Sequence, residues 1–190
     1  CTCGDILIDG NPAKIKDPRS AMKYGIGMVQ EDRLRLGSIY SMSVIENATL
    51  VDMKNLSNKL SIIKSRLEKM KFNKIGSELM LKYSSPNVLI KNLSGGNQQK
   101  VIFARWLMVN SRVLILDEPA RGIDVGAKAE IYKIIDSLAN RGIAVIMVSS
   151  ELTEIMSLCD RVFVINKGRV ISEYNRKEAD QEKIMRDAFL

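Results

Sequence analysis

The chain reads as an α/β protein: a mainly parallel sheet with flanking helices, plus a helical subdomain. Three observations predict this. Val113–Leu116 is a continuous aliphatic run, as expected of a parallel strand covered on both faces. Ala127, Ile131, Ile134, Ile135 and Leu138 fall at i, i+4, i+7, i+8 and i+11, one face of an amphipathic helix for which Gly142 is a natural stop. Residues 44–84 are rich in Lys and mostly helical in pattern, with Pro86 closing the region, and they read as a separate helical subdomain.

The remaining elements follow in chain order. Asp5–Asp9 predicts a short strand ended by Gly10-Asn11 turn chemistry. Gly25–Val29 is a second short apolar run, and Val101–Val109, apolar on most sides, predicts a buried helix. Ile143–Val148 reads as another buried strand, so strand and helix alternate from 112 to 158 and predict right-handed crossovers. Arg161–Ile165 and Arg169–Ser172 around Asn166-Lys167-Gly168 read as a hairpin, and Asp180–Phe189 as a terminal helix capped by Asp180.

Composition removes several classes of function. The longest uninterrupted apolar run, Ile143–Val148, has six residues, far short of the roughly 20 that span a bilayer. Residues 1–20 lack the basic start and apolar core of a signal peptide. With no His and only Cys1, Cys3 and Cys159, zinc-type clusters are not expected, and a reduced, cytosolic compartment fits best. The Cys1-x-Cys3 pair lacks the second half a metal site needs.

The net charge of +7 is concentrated in residues 54–91, which carry nine Lys/Arg against two acids, Glu68 and Glu78. A solvated helical face is the plain reading. A surface near anionic headgroups or acidic nucleic acid is the sharper one, although no aromatic side chains are regularly interleaved to stack on bases.

Two stretches carry chemistry. Val113–Leu116 delivers Asp117 and Glu118 to the carboxyl end of a strand, where ligands of such sheets sit. One carboxylate can hold Mg²⁺ while its neighbour, pointing the other way, orients or deprotonates a water. Two acids capping the next loop is the plainer alternative. Ser149 and Ser150 end the following strand, so four polar side chains are expected to converge on one edge. Leu93-Ser94-Gly95-Gly96-Asn97-Gln98-Gln99-Lys100 is a Ser-Gly-Gly turn opening a helix. Backbone N–H groups there, with no Cβ in the way, make an anion site; a Gly-rich helix start with a Ser cap is the plain alternative.

Taken in order, these motifs resemble the ATP-binding-cassette (ABC) ATPase family, over essentially all 190 residues. LSGGNQQK is similar to its signature, and VLILDE, seventeen residues after Gly96, to its Walker B segment. Pro119–Asp124 resembles the D-loop, Val148–Leu152 occupies the switch region, and Gln30-Glu31-Asp32-Arg33 resembles the Q-loop region. LSGGNQQK-V, DEPxRGIDVGAK and VSSEL together look like the second cassette of the fused ATPase of bacterial monosaccharide importers of the ribose, xylose and galactose type. There Val29–Arg33 is similar to V-P-E-D-R, with Gln30 in place of Pro.

The resemblance implies a P-loop NTPase-like (ABC) fold and a partial nucleotide-binding domain over 1–190. Within it, about 44–110 would be the helical subdomain with the signature motif. Residues 111–175 would hold Walker B, the D-loop and the switch region, and 176–190 a C-terminal helix. It implies ATP and Mg²⁺, with Asp117 serving the metal and Glu118 the catalytic base. Ser94, Gly95, Gly96 and Gln98 would meet ATP phosphates in trans; Gln30 or Glu31 would be the Q-loop residue, Asp124 the D-loop residue and Ser150 the switch residue. The implied partners are another cassette, transmembrane permease subunits and a periplasmic or extracellular sugar-binding protein, at the cytoplasmic face of the membrane, with no nucleic acid. A non-catalytic regulatory cassette and a soluble ABC ATPase are the alternatives.

Departures from the family pattern matter as well. The sequence contains no Gly-Lys dipeptide, hence no G-x-x-x-x-G-K-[ST] phosphate loop. In the family that loop precedes the DILIDG strand. The chain opens without Met at Cys1-Thr2-Cys3-Gly4, and the reading is a domain cut upstream, without the Walker A strand and helix. Ser150 stands where His is usual, and serine carries no charge to sense a γ-phosphate. Ala120 stands where Thr usually follows Glu-Pro.

Overall fold

The computed structural model describes residues 4–189. Cys1 and Cys3 lie outside them. The chain divides into two compact units, the first running to Ile146 and the second starting at Met147.

The first unit begins with a small hairpin, β1 (Leu7–Ile8) against β2 (Asn11–Pro12). The strand expected over 5–9 is thus shorter, and its turn is Asp9-Gly10 rather than Gly10-Asn11. Both turn residues have positive φ, 51° and 75°, the conformation a two-residue hairpin needs. Helix α1 (Pro18–Lys23) starts at a capping box of Asp17 and Ser20.

The central sheet has the order β3 (Ile26–Val29), β4 (Val113–Asp117), β5 (Ala144–Val148). β3 and β4 run parallel, Ile26 opposite Val113 and Val29 opposite Leu116. Their carboxyl ends therefore reach the same edge. The crossover between them is the helical region: α2 (Val44–Thr49), α3 (Met53–Leu56), α4 (Ser65–Glu78) and α5 (Gly95–Met108). Asn58 interrupts the helical pattern of 44–84, because its carboxamide oxygen accepts from the N–H groups of Leu60 and Ile62 and holds a turn.

α5 is buried on most sides, with Val101, Ile102, Phe103 and Ala104 at 0–1% exposure. It packs on α2 and α4 on one side and on β3 on the other. Gly27 of β3 is required there: a Cβ would lie 2.8 Å from the Trp106 ring, which places Trp106 against the sheet. α6 (Val125–Asn140) adds Ile131, Ile134, Ile135 and Leu138 to the core, as its apolar face predicts, and ends before Gly142 at φ 85°.

Polar groups also enter this core. Arg105 donates to the Asn47 carbonyl (2.8 Å) and to Asn47 Oδ1 (3.3 Å), joining α5 to α2, and burial pulls its pKa down to about 10. Lys100 is 1% exposed; its ammonium donates to the Met80 carbonyl at 3.0 Å and to Glu130 Oε2 of α6 at 2.8 Å.

Two strands expected to be fully buried are not. In β4 Leu114 and Leu116 are buried, but Val113 and Ile115 are only partly covered, and in β5 Ile146 and Val148 are 56% and 53% exposed. Among the described residues nothing covers the exposed positions of β5 to the same degree.

The second unit holds α7 (Leu152–Leu158), the hairpin β6 (Arg161–Asn166) and β7 (Arg169–Asn175), and α8 (Gln181–Phe189). The hairpin turn, Lys167-Gly168, has φ of 48° and 76°. Val162, Val164 and Ile184 form its small core, Tyr174 donates to Asp187 at 2.6 Å, and Asp180 caps α8 by accepting from Glu182 and Lys183 N–H. Cys159 is half-buried, and burial raises its pKa.

Glu130→Ala is expected to lower stability in urea unfolding by about 2 kcal/mol, between the values for exposed and buried pairs. It would leave the Lys100 charge buried with one carbonyl. The Lys100 hydrogen bond, followed by its charge, holds the Glu130 carboxyl below its ordinary 4.5. A lowered acid contributes stability above its unfolded pKa and loses it as pH falls through the folded value. The deficit of the variant is therefore full at neutral pH and shrinks below about pH 4.5.

Candidate functional site

The parallel pairing of β3 and β4 sets the site. It brings the segment after β3, Gln30–Arg33, beside the end of β4 and the loop that follows it, Asp117–Asp124. α5, which returns the chain from one strand to the other, starts at the same place with Ser94, Gly95 and Gly96.

Ser94 is the exposed N-cap of α5 and makes no side-chain bond to the helix backbone; its Oγ accepts from Asn97 Nδ2 at 2.9 Å. The first intrahelical bond runs from Gln98 N–H to the Ser94 carbonyl. The N–H groups of the first turn therefore point along the helix axis with no partner in α5, where the dipole favours an anion. Gln98, in contrast, is buried, and its amide donates to the Leu93 carbonyl at 3.0 Å. Gly96 sits hard against α6: a Cβ there would lie 2.6 Å from Ala127 Cβ.

Asp117 ends β4 partly exposed. Glu118 has φ 47°, a left-handed conformation that costs a non-glycine residue energy and clusters at functional positions. The Arg121 N–H closes the following turn on the Glu118 carbonyl at 3.1 Å. Gly122, at φ 67°, continues the loop. Asp124 caps α6, accepting from Ala127 N–H at 2.9 Å.

The two loops are strapped together. Arg33 Nη1 donates to the Arg121 carbonyl at 2.8 Å and Nη2 to the Gly122 carbonyl at 3.1 Å. Arg121 returns an ion pair to Glu31. Gln30 is half-buried at the end of β3 and Glu31 is exposed. Asp32 starts a single π-helical turn, Arg33–Gly37, by accepting from Leu34 and Arg35 N–H.

Ser149 and Ser150 belong to the second unit. Ser149 Oγ donates to Glu154 Oε2 at 2.7 Å and accepts from Glu151 N–H at 3.0 Å, which fastens the start of α7; Ser150 is exposed.

The Gln30–Arg33 motif points to this segment, but the sequence carries no signal for the partners of Arg33, which are backbone carbonyls 88 and 89 residues away. The alternation of strand and helix was the available signal, because it implies that β3 and β4 end together. The Arg121 partner, Glu31, was hidden by the same distance.

Among the described residues no three His, Cys, Asp or Glu side chains form a metal cluster. Mg²⁺ commonly takes one or two carboxylates and completes its shell with water and phosphate oxygens, and Asp117 at an open strand end fits that use. No helix among the described residues is long and apolar enough to cross a membrane.

The family model described as ABC transporter matches residues 1–121. The ribose import ATP-binding protein RbsA of Geobacillus kaustophilus is 49% identical over 185 residues, 97% of this chain and 37% of that protein. The xylose import ATP-binding protein XylG of the same organism is 45% identical over 182 residues, 96% of this chain and 36% of its own length. The chain thus spans little more than a third of these relatives. The structure is similar to MJ1267, an ATP-binding cassette of an ABC transporter, at TM-score 0.80 and 23% identity, covering 98% of this chain and 77% of that one. It is also similar to cbiO1 of Clostridium perfringens, part of the ABC transporter complex cbiONQ, at TM-score 0.76 and 27% identity, over 97% and 70%.

Gly96→Ala is expected to lower stability by about 1–3 kcal/mol through overpacking against Ala127. Ala127→Gly in the same molecule should recover most of that loss, less up to about 1 kcal/mol of helix propensity. Chemical denaturation of the two single variants and the double variant checks it.

Proposed function

The chain belongs to the ABC transporter family, and we propose that it is part of an ATP-hydrolysing subunit of a monosaccharide importer whose signature helix serves ATP held by a partner cassette. The observation that carries this is the start of α5: an exposed Ser94, two glycines without side chains, and first-turn N–H groups lacking partners in the helix. Such an end is preorganised for phosphate charge. The helix behind it is locked into the core, so presenting it costs no rearrangement. The likeness to ribose and xylose import proteins supports a simple sugar as the cargo.

In this reading Ser94 and the N–H groups of Gly95 and Gly96 contact the γ-phosphate region of a nucleotide bound elsewhere. Gln98 acts by holding the Leu93 carbonyl, which fixes the approach to the helix. Asp117 is the residue that would hold Mg²⁺, which neutralises phosphate oxygens when bound. Glu118 orients or deprotonates the attacking water at the site this cassette shares with its partner. Asp124 fixes the loop to α6, Ser150 takes the switch position, and Gln30 or Glu31 is the Q-loop residue. Residues 44–110 are the helical subdomain, 111–175 the Walker B to switch segment and 176–190 the C-terminal helix. The cassette works at the cytoplasmic face of the membrane, and an external sugar-binding protein completes the system on the opposite side.

One observation favours a second reading, a regulatory cassette whose own site is silent. Ser150, at the switch position, supplies no charge. Both readings keep the helix end as the part offered to a partner.

This chain alone is expected to bind ATP more weakly than about 100 µM, because it holds no phosphate loop. Isothermal titration giving micromolar affinity would overturn that. In the full-length protein, Ser94→Arg should reduce ATP hydrolysis by about a hundredfold or more, the scale of losing a preorganised donor, with ATP binding at the other cassette retained. Hydrolysis at the unmodified rate would contradict the proposal.

A further inference from the structure

We propose that Arg33 is a positioning residue: its guanidinium fixes the Glu118–Gly122 loop against the first turn of α5 and so sets Glu118 relative to the Ser94–Gly96 helix end. The proposal rests on the roles given above to Glu118 and Ser94.

The geometry is specific. One planar group spans two consecutive carbonyls, Arg121 at 2.8 Å and Gly122 at 3.1 Å. A Cβ on Gly95 would lie 3.0 Å from Nη2 and 3.4 Å from Cζ, so the guanidinium rests on the glycine that opens α5. Its Nε is buried with no partner among the described residues, so the hold of the guanidinium on the loop runs through those two carbonyls. The stem is held from behind. Asp32 caps the turn, Ser38 Oγ donates to the Arg33 carbonyl at 2.9 Å, and Gly37 seats the turn on α5, where a Cβ would lie 2.8 Å from Ile102 Cδ1.

This explains how Glu118 keeps a left-handed φ. A strained residue persists only where its surroundings over-determine it. The turn from the Glu118 carbonyl to the Arg121 N–H is pinned at its far end by Arg33. The Glu31–Arg121 ion pair is a second strap, but its side chains are 46% and 63% exposed, and exposed pairs contribute little. Lysine cannot replace Arg33, because an ammonium has no fork to span two carbonyls.

The test uses the full-length protein with its partner cassette. In Arg33→Gln, hydrogen exchange across 118–124 should rise about tenfold or more while α4 and β6–β7 keep their protection. The kcat for ATP should fall about tenfold or more with KM within about twofold, as for a group that acts on the transition state. Arg33→Lys, which keeps the charge and stem, should show the same pattern at smaller size, and it carries the test if Arg33→Gln fails to fold. Arg121→Ala should have a weaker effect than either. Unchanged exchange at 118–124, or loss of protection throughout with kcat and KM changing together, would overturn the proposal. If Ser94→Arg hydrolyses ATP normally while Arg33→Gln still loosens 118–124 alone, the functional reading fails and the strap stands.

Discussion

Everything in the first unit depends on the burial of α5. Helix residues that are usually polar are sealed here: Gln98, Gln99, Lys100 and Arg105 are all under 9% exposed. Burying a charge is costly unless each donor is matched, and this helix matches them. Lys100 is shared between the Met80 carbonyl and Glu130, and Arg105 is fixed to Asn47. Fully burying Ile102 and Phe103 adds roughly 1.5–3 kcal/mol each. The polar pairings fix the angle and register at which that apolar burial occurs. A helix so constrained cannot rotate, and its first turn becomes a fixed feature of the surface.

The sheet edge is built around that fixed point. Parallel pairing brings two loops to one place, and glycine lets them approach: Gly95 under the Arg33 guanidinium, Gly96 under Ala127, Gly122 in the left-handed region. The strain at Glu118 is tolerated because the loop is held on both sides. The second unit is organised differently. Its core is small, and its definition comes from a tight hairpin turn and from polar contacts such as Tyr174 to Asp187.

Much of this was legible in the sequence because it rests on local rules. The period of Ile131, Ile134, Ile135 and Leu138 gave α6 and its buried face. Asn166-Lys167-Gly168 marks the hairpin, whose turn is Lys167-Gly168 with Asn166 paired in β6, and Asp180 marks the cap of the last helix. Ser-Gly-Gly ahead of an apolar segment gave the helix end. What was hidden is non-local. Strand and helix alternation cannot say whether an aliphatic strand is covered on one face or two, and in β5 Ile146 and Val148 stay exposed. The Asp9-Gly10 turn displaced the expected Gly10-Asn11 because Asp also tolerates positive φ. The Arg33 and Arg121 straps join residues some 90 apart in sequence, and no spacing rule reaches that far. Four polar side chains were expected at one edge; the first unit supplies Asp117 and Glu118, and Ser149 is engaged with Glu154 within the second.

The central claim is that the first turn of α5 faces nucleotide held by a partner cassette. Cysteine cross-linking tests it most directly. In the full-length protein, Ser94→Cys paired with a cysteine in the phosphate-binding loop of the other cassette should form a disulfide when ATP is bound and hydrolysis is blocked, and little without nucleotide. Cross-linking that is absent in both states, or equal with and without ATP, would contradict the account.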